Sequence, residues 1–372
     1  MSNLRVVVDQ ILAPEPGEVG RYTAELTREL IAAAPDGVAV EGIVSASSAA
    51  DYERLLEELP GLGGLQKSAF DRRALQGVLR RGLGALGGGM VHAPDLLAPL
   101  SRHDRLTSPG EQTVVTVHDT LAWSAPDSLP RGEAAWRRAM IRRAERHADA
   151  VVVPNHSVAS GLDEIASFGD RIRVITGGAS TTMKLPADAD ERASRLGLPE
   201  RYILAWSTGT ARPLTPLLRG MTRTDGPELP IVVLGSNDVH ETASVVGLDP
   251  SRLLQIGTAG EDDRATVLHR ASVLVHPGPA EGFGLPVIDA MQAGVPVVHA
   301  DDAALEELTA DAALVVSRSD VAGYTASLAQ HIAALLEDAQ TRERMRIAGR
   351  DRAQLFSWRD AAEKVWQLHA DL

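Results

Sequence analysis

The sequence predicts an α/β protein made of two doubly wound domains. Its 372 residues are more than one ordinary core holds. Short, continuous apolar runs alternate with segments of helical spacing, which is typical of parallel strands covered by helices on both faces. The alternation occurs in two sets, and the polar, irregular segment 178–200 lies between them. We therefore expect the domain boundary in or near that segment.

The first set predicts one parallel sheet. A helix is expected over 20–34, where Tyr22, Leu26 and Leu30 have helical spacing. The segment 51–89 is expected to be mostly helical and to end in a glycine-rich turn. The predicted strands of this set lie within 4–10, 38–46, 90–94, 112–119, 149–155 and 171–177.

The second set predicts a second sheet and a closing helix. In the closing helix, Trp358, Ala362, Val365 and Leu368 share one side. The predicted strands lie within 201–209, 229–236, 253–259, 271–278, 295–300 and 312–317. We thus expect an N-terminal domain over 1–185, a C-terminal domain over 186–355 and a final helix over 356–372.

The composition excludes several classes of function. The chain has no cysteine, so disulfides, thiolate metal sites and thiol catalysis are excluded. Its net charge of −13 argues against nucleic acid as a partner. No apolar run approaches the roughly 20 residues that a membrane span needs. The start, MSNLRVVVDQ, has no charged leader and no signal-peptide core, so we expect a cytoplasmic protein.

The stretch EGFGLPVIDAM, residues 281–291, predicts an anion site. It lies between a buried strand and a helix, where glycine lets a ligand approach the backbone and free N–H groups can bind a phosphate. Ligands of open α/β sheets sit at the carboxyl ends of the strands, which is this position. Glu281 would then reach a polyhydroxyl group, and Asp289 a ribose hydroxyl. The alternative is a tight strand-to-helix turn capped by Glu281.

The longer stretch HPGPAEGFGLPVIDAMQAGVPVV resembles the signature of glycosyltransferase family 4, the retaining enzymes of the GT-B fold. The resemblance implies that Glu281 contacts the hydroxyls of the donor sugar. It implies that the N–H groups of the loop hold the donor diphosphate, with Asp289 at the nucleotide ribose. The family pattern has glutamate where this chain has Asp289, which is one methylene shorter. The loop residues concerned are Gly282, Phe283, Gly284 and Leu285.

Other family marks lie along nearly the whole chain. GEVGRYTAELTREL resembles the N-terminal glycine loop, which places Gly17 and Gly20 near the donor phosphate and the acceptor. VVTVHDTLAWSAPDSLP resembles the family's HD segment, which implies that His118 hydrogen-bonds the donor sugar. The final helix resembles the family's C-terminal helix, which crosses back onto the first domain. Taken alone, the glycines fit an ordinary loop and His118 a structural strand-end histidine.

One segment departs from the family pattern. After the first strand of the second domain the family carries a glycine and then an Arg-Lys pair, which neutralises the leaving diphosphate. In STGTARPLTPLL, Gly209 is in place, but Leu214 and Thr215 stand where the pair is expected. Arg212 is the nearest cation, and arginine suits a bidentate phosphate contact. The diphosphate charge would then rest on Arg212, backbone amides and a helix dipole.

The resemblance implies a retaining transfer of a hexose, mannose as the first choice, from a GDP- or UDP-sugar to a glycan or lipid-linked acceptor. The subgroup it suggests is that of the group 1, mannosyltransferase-like enzymes of the cell envelope. The nucleotide would bind the C-terminal domain and the acceptor the N-terminal domain. His118 and Glu281 are the expected catalytic residues, with no required metal and no cofactor other than the nucleotide sugar.

Three alternatives stay open. The missing basic pair favours a catalytically silent protein that kept the fold as a binding or scaffold subunit. A GT-B sugar-nucleotide epimerase and a glycogen- or sucrose-type glucosyltransferase share the fold.

Two arginine-rich segments, 71–86 and 131–148, raise the question of membrane contact. In the second, Arg138, Arg142 and Arg146 fall on one helical face beside an apolar stripe. A basic amphipathic helix can lie on an anionic membrane. The alternative is a solvated arginine face above a stripe that the protein core covers.

Overall fold

The computed structural model describes residues 3–14, 16–83, 86, 88–104, 107–108, 110–207, 211–235, 239–257, 259–278 and 283–372. Over these residues the chain forms two parallel sheets, of seven and six strands, with helices between the strands. This confirms the predicted α/β class with two doubly wound domains. Within the described part of the chain, we find no helix that combines the length and the apolar character needed to span a bilayer.

The first sheet has the strand order β3-β2-β1-β4-β5-β6-β7, with every pairing parallel. The chain order reverses beside β1, so the ends of β1 and β4 form the switch point of this sheet. Its strands are β1 (Leu4–Val7), β2 (Val40–Val44), β3 (Leu65–Lys67), β4 (Met90–Ala93), β5 (Gln112–Thr116), β6 (Ala150–Val153) and β7 (Ile172–Val174). Its helices are α1 (Gly17–Ala32), α2 (Ala49–Glu58), α3 (Arg72–Arg80), α4 (Leu121–Ser124), α5 (Glu133–His147) and α6 (His156–Asp163).

The second sheet has the order β10-β9-β8-β11-β12-β13, again parallel, with its switch point between β8 and β11. The strands are β8 (Ile203–Ser207), β9 (Ile231–Gly235), β10 (Leu253–Ile256), β11 (Val273–His276), β12 (Val297–Ala300) and β13 (Leu314–Val316). The helices from here to the end of the chain are α7 (Ala189–Leu196), α8 (Thr215–Gly220), α9 (Val239–Val246), α10 (Glu261–His269), α11 (Leu285–Ala293), α12 (Ala303–Thr309), α13 (Tyr324–Glu337), α14 (Ala339–Ala353) and α15 (Trp358–Asp371).

The last helix, α15, returns to the first domain and packs along α1. Its four predicted apolar residues are buried, as the helical spacing requires. The Trp366 indole N–H donates to the carbonyl of Leu30 at 3.1 Å, and Trp358 packs edge-on against Tyr22. The predicted return of the C-terminal helix is thereby confirmed.

Two parts of the chain differ from the sequence-based expectation. The segment 51–89 contains strand β3 between its helices, and three residues at a sheet edge are too few to show the two-residue period of a strand. The segment 178–200 contains α7, which ends at Gly197 with φ +67°. The predicted division at 185 falls between β7 and α7.

The connection between the sheets is anchored to α1. Glu25 is buried and accepts hydrogen bonds from the hydroxyls of Ser180 at 2.6 Å and Thr181 at 2.8 Å. On the other side of the molecule, Glu307 of α12 accepts from the backbone N–H groups of His156 and Ser157, at the start of α6. A carboxylate at a helix N-terminus is favourable because it meets free N–H groups and the positive end of the dipole. These contacts fix the relative placement of the two sheets.

Candidate active site between the two domains

The site lies where the helices that follow β1 and β11 meet. α1 begins after the loop that leaves β1, and α11 begins after the loop that leaves β11. Each of these strands is at the switch point of its sheet, where open α/β folds bind ligands. Side chains of the first turns of α1 contact α11 directly. The two predicted ligand-binding edges therefore share one cleft.

The N-terminus of α11, where the sequence predicts an anion site, is preceded by a glycine in a left-handed conformation. Gly284 precedes the helix with φ +82°, a conformation that glycine adopts without strain. The next residue, Leu285, donates its N–H to the Glu18 carboxylate at 3.2 Å. The amide that we expected to hold a phosphate oxygen thus holds a carboxylate oxygen from the other domain.

Asp289, predicted at the nucleotide ribose, is buried in this cleft. One of its carboxylate oxygens accepts from Arg21 of α1, and the other accepts from the Ser180 N–H at 2.8 Å. The Arg21 guanidinium also lies over the ring of Trp206, 5.6 Å from its centre, in a cation–π arrangement. In this conformation Asp289 therefore links the second domain to α1 and to the interdomain connection.

Gly20 is required by a close approach of backbone to backbone. A Cβ added to Gly20 would lie 2.9 Å from the carbonyl oxygen of Gln10 and 2.4 Å from Cβ of Pro16. Gly17 stands at the first position of α1 with φ +57°, and a Cβ there meets nothing within 4 Å. The two predicted glycines thus have different local roles, although both shape the entry to α1.

His118 lies just beyond the end of β5, as predicted, and is buried. Its Nε2 is 2.7 Å from the carbonyl oxygen of Pro94, and because a carbonyl only accepts, Nε2 carries the proton. Burial lowers the pKa of His118, against a smaller opposing effect of the Pro94 carbonyl. The ring is therefore neutral near pH 7, with Nδ1 as an acceptor. The ring of Tyr22 packs edge-on against it, 4.6 Å between centres.

A cavity of about 260 Å³ opens beside His118 in the first domain. Asp95, which directly follows the β4 strand end, forms part of its wall. It accepts from the Leu97 N–H at 2.8 Å and from the Gln10 side chain. Burial raises the pKa of Asp95 to about 6. The side chain of Arg72 also lines the cavity and binds Asp9 and Gln10.

The opposite wall of the cavity is polar and aromatic. Arg137 donates to both oxygens of Asp119, at 3.1 and 2.9 Å, and to Glu133 at 2.9 Å. Trp123 and Trp136 line the same wall. Both arginines of the cavity, Arg72 and Arg137, are thus paired with carboxylates, and tryptophan faces provide flat apolar surface.

The remaining predicted residues do not all lie where α1 meets α11. Phe283 is buried against Phe356, 6.1 Å between ring centres, so its side chain packs while its backbone shapes the loop. Arg212 is exposed and donates to the carbonyl of Asp127 at 3.1 Å. It lines a second cavity, of about 680 Å³, together with Arg219 and Arg318. Gly209, Glu281 and Gly282 lie outside the described residues.

Sequence reasoning missed four residues: Glu18 and Arg21, where α1 meets α11, and Arg72 and Asp95, in the cavity beside His118. The rule that ligands sit at the carboxyl ends of parallel strands could have found Asp95, because Pro94 and Asp95 directly follow β4. Glu18 and Arg21 lie within the GEVGRYTAELTREL stretch and Arg72 lies within the arginine-rich segment 71–86, but no pattern in these stretches predicts the partners of the three side chains.

Comparison with known proteins agrees with this architecture. Two family models match consecutive parts of the chain, Glycosyltransferase Family 4 over residues 19–182 and Glycosyl transferases group 1 over residues 219–352. The O-antigen chain mannosyltransferase B of Escherichia coli is 26% identical over 68% of this chain and 69% of its own length. The D-inositol 3-phosphate glycosyltransferase 1 of Catenulispora acidiphila is 25% identical over 99% of this chain and 95% of its own.

A solved structure shares the fold over the full length. Anabaena HepE, in a complex with UDP and glucose, superimposes with a TM-score of 0.73 and covers 100% of both chains, at 16% identity. At that identity the likeness shows the fold alone, which is the predicted GT-B arrangement. Because the two family models cover both domains and the fold agrees, the chain belongs to the group 1 glycosyltransferases of family 4, which have the GT-B fold.

Proposed function

We propose that this glycosyltransferase is a retaining enzyme that moves a hexose from a nucleotide-diphosphate sugar to a glycan or lipid-linked acceptor. The observation that carries the proposal concerns the first turn of α1. Glu18 meets the Leu285 amide at the α11 N-terminus, and the next residue, Val19, lines the cavity beside His118. The anion site of one domain and a polar cavity of the other are thus separated by a single helical turn.

The donor would bind with its diphosphate at the N-terminus of α11. Free N–H groups and the positive end of the helix dipole favour a phosphate there. The complex of HepE with UDP and glucose supports a nucleotide sugar as the donor. The name of the Escherichia coli relative supports mannose as the first sugar to test.

The acceptor would bind in the cavity beside His118. Its two arginines are already paired with carboxylates, and Asp95 adds a further acid, so the cavity suits hydroxyl groups rather than a phosphate. Carboxylates accept hydrogen bonds from hydroxyls, and the Trp123 and Trp136 faces suit the apolar side of a sugar ring. A glycan end fits this combination.

The chemistry would need no covalent intermediate on the protein. The bond from the sugar carbon to the donor phosphate breaks, and the acceptor oxygen bonds to the same face of that carbon. The acceptor's proton passes to an oxygen of the leaving phosphate. The protein contributes orientation and charge stabilisation, with His118 and Glu281 as the proposed catalytic residues.

Calorimetric titration with UDP-, GDP- and ADP-sugars tests the donor site. We expect one donor to bind, and Glu281→Ala and Arg212→Ala to weaken that binding. Binding that Arg212→Ala leaves intact would show that Arg212 does not hold the diphosphate. A folded protein that binds none of the three donors would favour the catalytically silent alternative. The missing Arg-Lys pair also favours that alternative.

Product analysis tests the reaction itself. NMR of the product formed from the bound donor should show the anomeric configuration of the donor. An inverted anomeric centre would contradict a retaining mechanism. Conversion of the donor to its epimer, without transfer, would instead identify the GT-B epimerase.

Peripheral membrane contact is a smaller part of the proposal. In α3 and α5 the apolar residues Leu75, Leu79, Met140 and Ala144 are buried in the protein, so these helices offer charge rather than an apolar face. We therefore expect any binding to anionic vesicles to be electrostatic and to vanish at high salt. Absence of binding to phosphatidylserine vesicles at low salt would remove membrane contact from the proposal.

A further inference from the structure

We propose that Glu18 competes with the donor diphosphate for the N-terminus of α11, and that Arg21 contacts the diphosphate once Glu18 has left. The inference rests on the donor site proposed above. Under this inference, residues of α1 in the first domain contribute to donor affinity in addition to the predicted loop residues 282–285.

Glu18 has the position and chemistry of a competitor. Its carboxylate accepts from the Leu285 N–H at 3.2 Å, although 267 positions separate the two residues in the chain. A carboxylate and a phosphate offer the same kind of anionic oxygen to a helix N-terminus. The Leu285 N–H at the N-terminus of α11 cannot bind the Glu18 carboxylate and a donor phosphate at full strength at the same time. Donor binding must therefore displace Glu18.

Arg21 has an unused donor in the same place. One terminal nitrogen, Nη2, donates to Asp289, whereas Nη1 is buried and has no hydrogen-bond partner among the described residues. A buried N–H group without a partner is unfavourable, and such groups usually mark a missing ligand or water. Glu18 and Arg21 are three positions apart on α1, so they share one helical face. The Glu18 carboxylate, which the donor would displace, and the Arg21 Nη1, which has no partner among the described residues, therefore lie on the same face of α1.

Arg21 can supply the positive charge that the segment after β8 lacks in place of the Arg-Lys pair. Leu214 is buried there, and Arg212 is engaged with the carbonyl of Asp127. Arg264 of α10 is a second arginine to consider, and burial, followed by the charge of Arg21, lowers its pKa. The Nε of Arg264 is also buried with no partner within the described chain. Arg21 and Arg264 thus each carry a buried N–H group with no partner among the described residues, and Arg21 is the one that contacts α11 directly.

The first experiment measures Kd for UDP, GDP and ADP by calorimetry in the wild type, Glu18→Gln and Glu18→Ala. Loss of the competing carboxylate should lower Kd of the nucleotide that binds by about tenfold, the factor that corresponds to one strong contact. Glu57→Ala is the control, because Glu57 is an exposed acid on α2 and its removal changes the net charge equally. Equal or weaker binding by both Glu18 variants would overturn the competition.

The second experiment isolates Arg21. Arg21→Lys keeps a positive charge for Asp289 but loses the second terminal nitrogen, so it should fold. We expect it to raise Kd of the nucleoside diphosphate by about tenfold and to leave Kd of the matching nucleoside unchanged. Arg28→Ala is the control on the same helix, since Arg28 pairs with Glu58. An unchanged diphosphate Kd in Arg21→Lys would overturn the role of Arg21.

The two proposals fail in different ways. If the wild type and every variant bind no nucleotide, the proposed donor site is wrong. If the wild type binds a nucleotide and the Glu18 and Arg21 variants bind it equally well, the donor site stands and this inference is wrong.

Discussion

Arg21 and Asp289 form a buried ion pair that joins the two domains across the cleft. The Asp289 side chain is fully buried, and the Arg21 side chain is 12% exposed. The pair connects α1 with α11, the two helices that begin at the proposed site. The pair therefore couples the packing of the two domains to the placement of the turn where we propose that the donor binds.

Replacing Asp289 by Ala should lower the free energy of unfolding by about 3–5 kcal/mol, because Arg21 would be left as an uncompensated buried charge. Denaturant unfolding at pH 7 measures the effect. The matched control is Glu363→Ala, which breaks an exposed pair with Arg359 on α15 and should change stability by less than about 1 kcal/mol. The double variant Arg21→Met, Asp289→Leu should recover part of the loss. Additive losses in it would contradict a coupled pair.

Gly20→Ala should destabilise the protein by about 1–3 kcal/mol, because the new Cβ would collide with the backbone of Gln10. Gly77, inside α3, provides the control, since its nearest neighbour to an added Cβ is 3.9 Å away. Gly77→Ala should stabilise by about 0.5–1 kcal/mol through helix propensity. Thermal unfolding of both variants checks the contrast. Similar behaviour of the two would show that α1 can move away from Gln10.

The pKa of Asp95, raised from 3.8 to about 6 by burial, predicts a pH dependence of stability. Between about pH 4 and pH 6 the native state holds more protons than the unfolded state, so this group makes stability fall as pH rises. The full effect above pH 6 is about 3 kcal/mol at most. Unfolding of wild type and Asp95→Asn at pH 4.5 and 7.5 isolates it. If wild type and Asp95→Asn differ in their free energy of unfolding by the same amount at both pH values, the pKa of Asp95 is not raised in the native state.

His118→Ala should lower kcat by about 100-fold and change KM for the donor little, because in the proposed mechanism the ring contacts the reacting sugar rather than the nucleotide. Steady-state kinetics with the donor identified by calorimetry measures both constants. His331→Ala, at an exposed position of α13, serves as the control. A changed KM with an unchanged kcat would place His118 in ground-state binding only.

Removal of divalent metal should leave transfer unaffected, as the family resemblance implies. The measurement is kcat after dialysis against EDTA, compared with the same protein in added Mg²⁺ or Mn²⁺. Restored activity on metal addition after a loss in EDTA would show that the diphosphate charge is balanced by a metal. Arg21 would then be a minor contributor to that balance.

Much of the fold was predictable from the sequence because its signals are local. The buried strands β6 and β9 are continuous apolar runs, and the α15 stripe shows the helical period within one segment. Strand β3 was missed because three edge residues carry no period. Helix α7 was missed because its charged composition resembles that of a connecting segment.

Local sequence signals are sufficient to predict the two doubly wound domains, the glycine that precedes α11 and the placement of His118 after a strand. Each of these follows from residues that are neighbours in the chain. The identity of the groups that meet between the domains, in contrast, follows from the packing of the folded chain. Glu18 finds the Leu285 amide, and Arg21 finds Asp289, across 267 and 268 positions of sequence. No local period or motif encodes such pairings, because they depend on how one domain packs against the other.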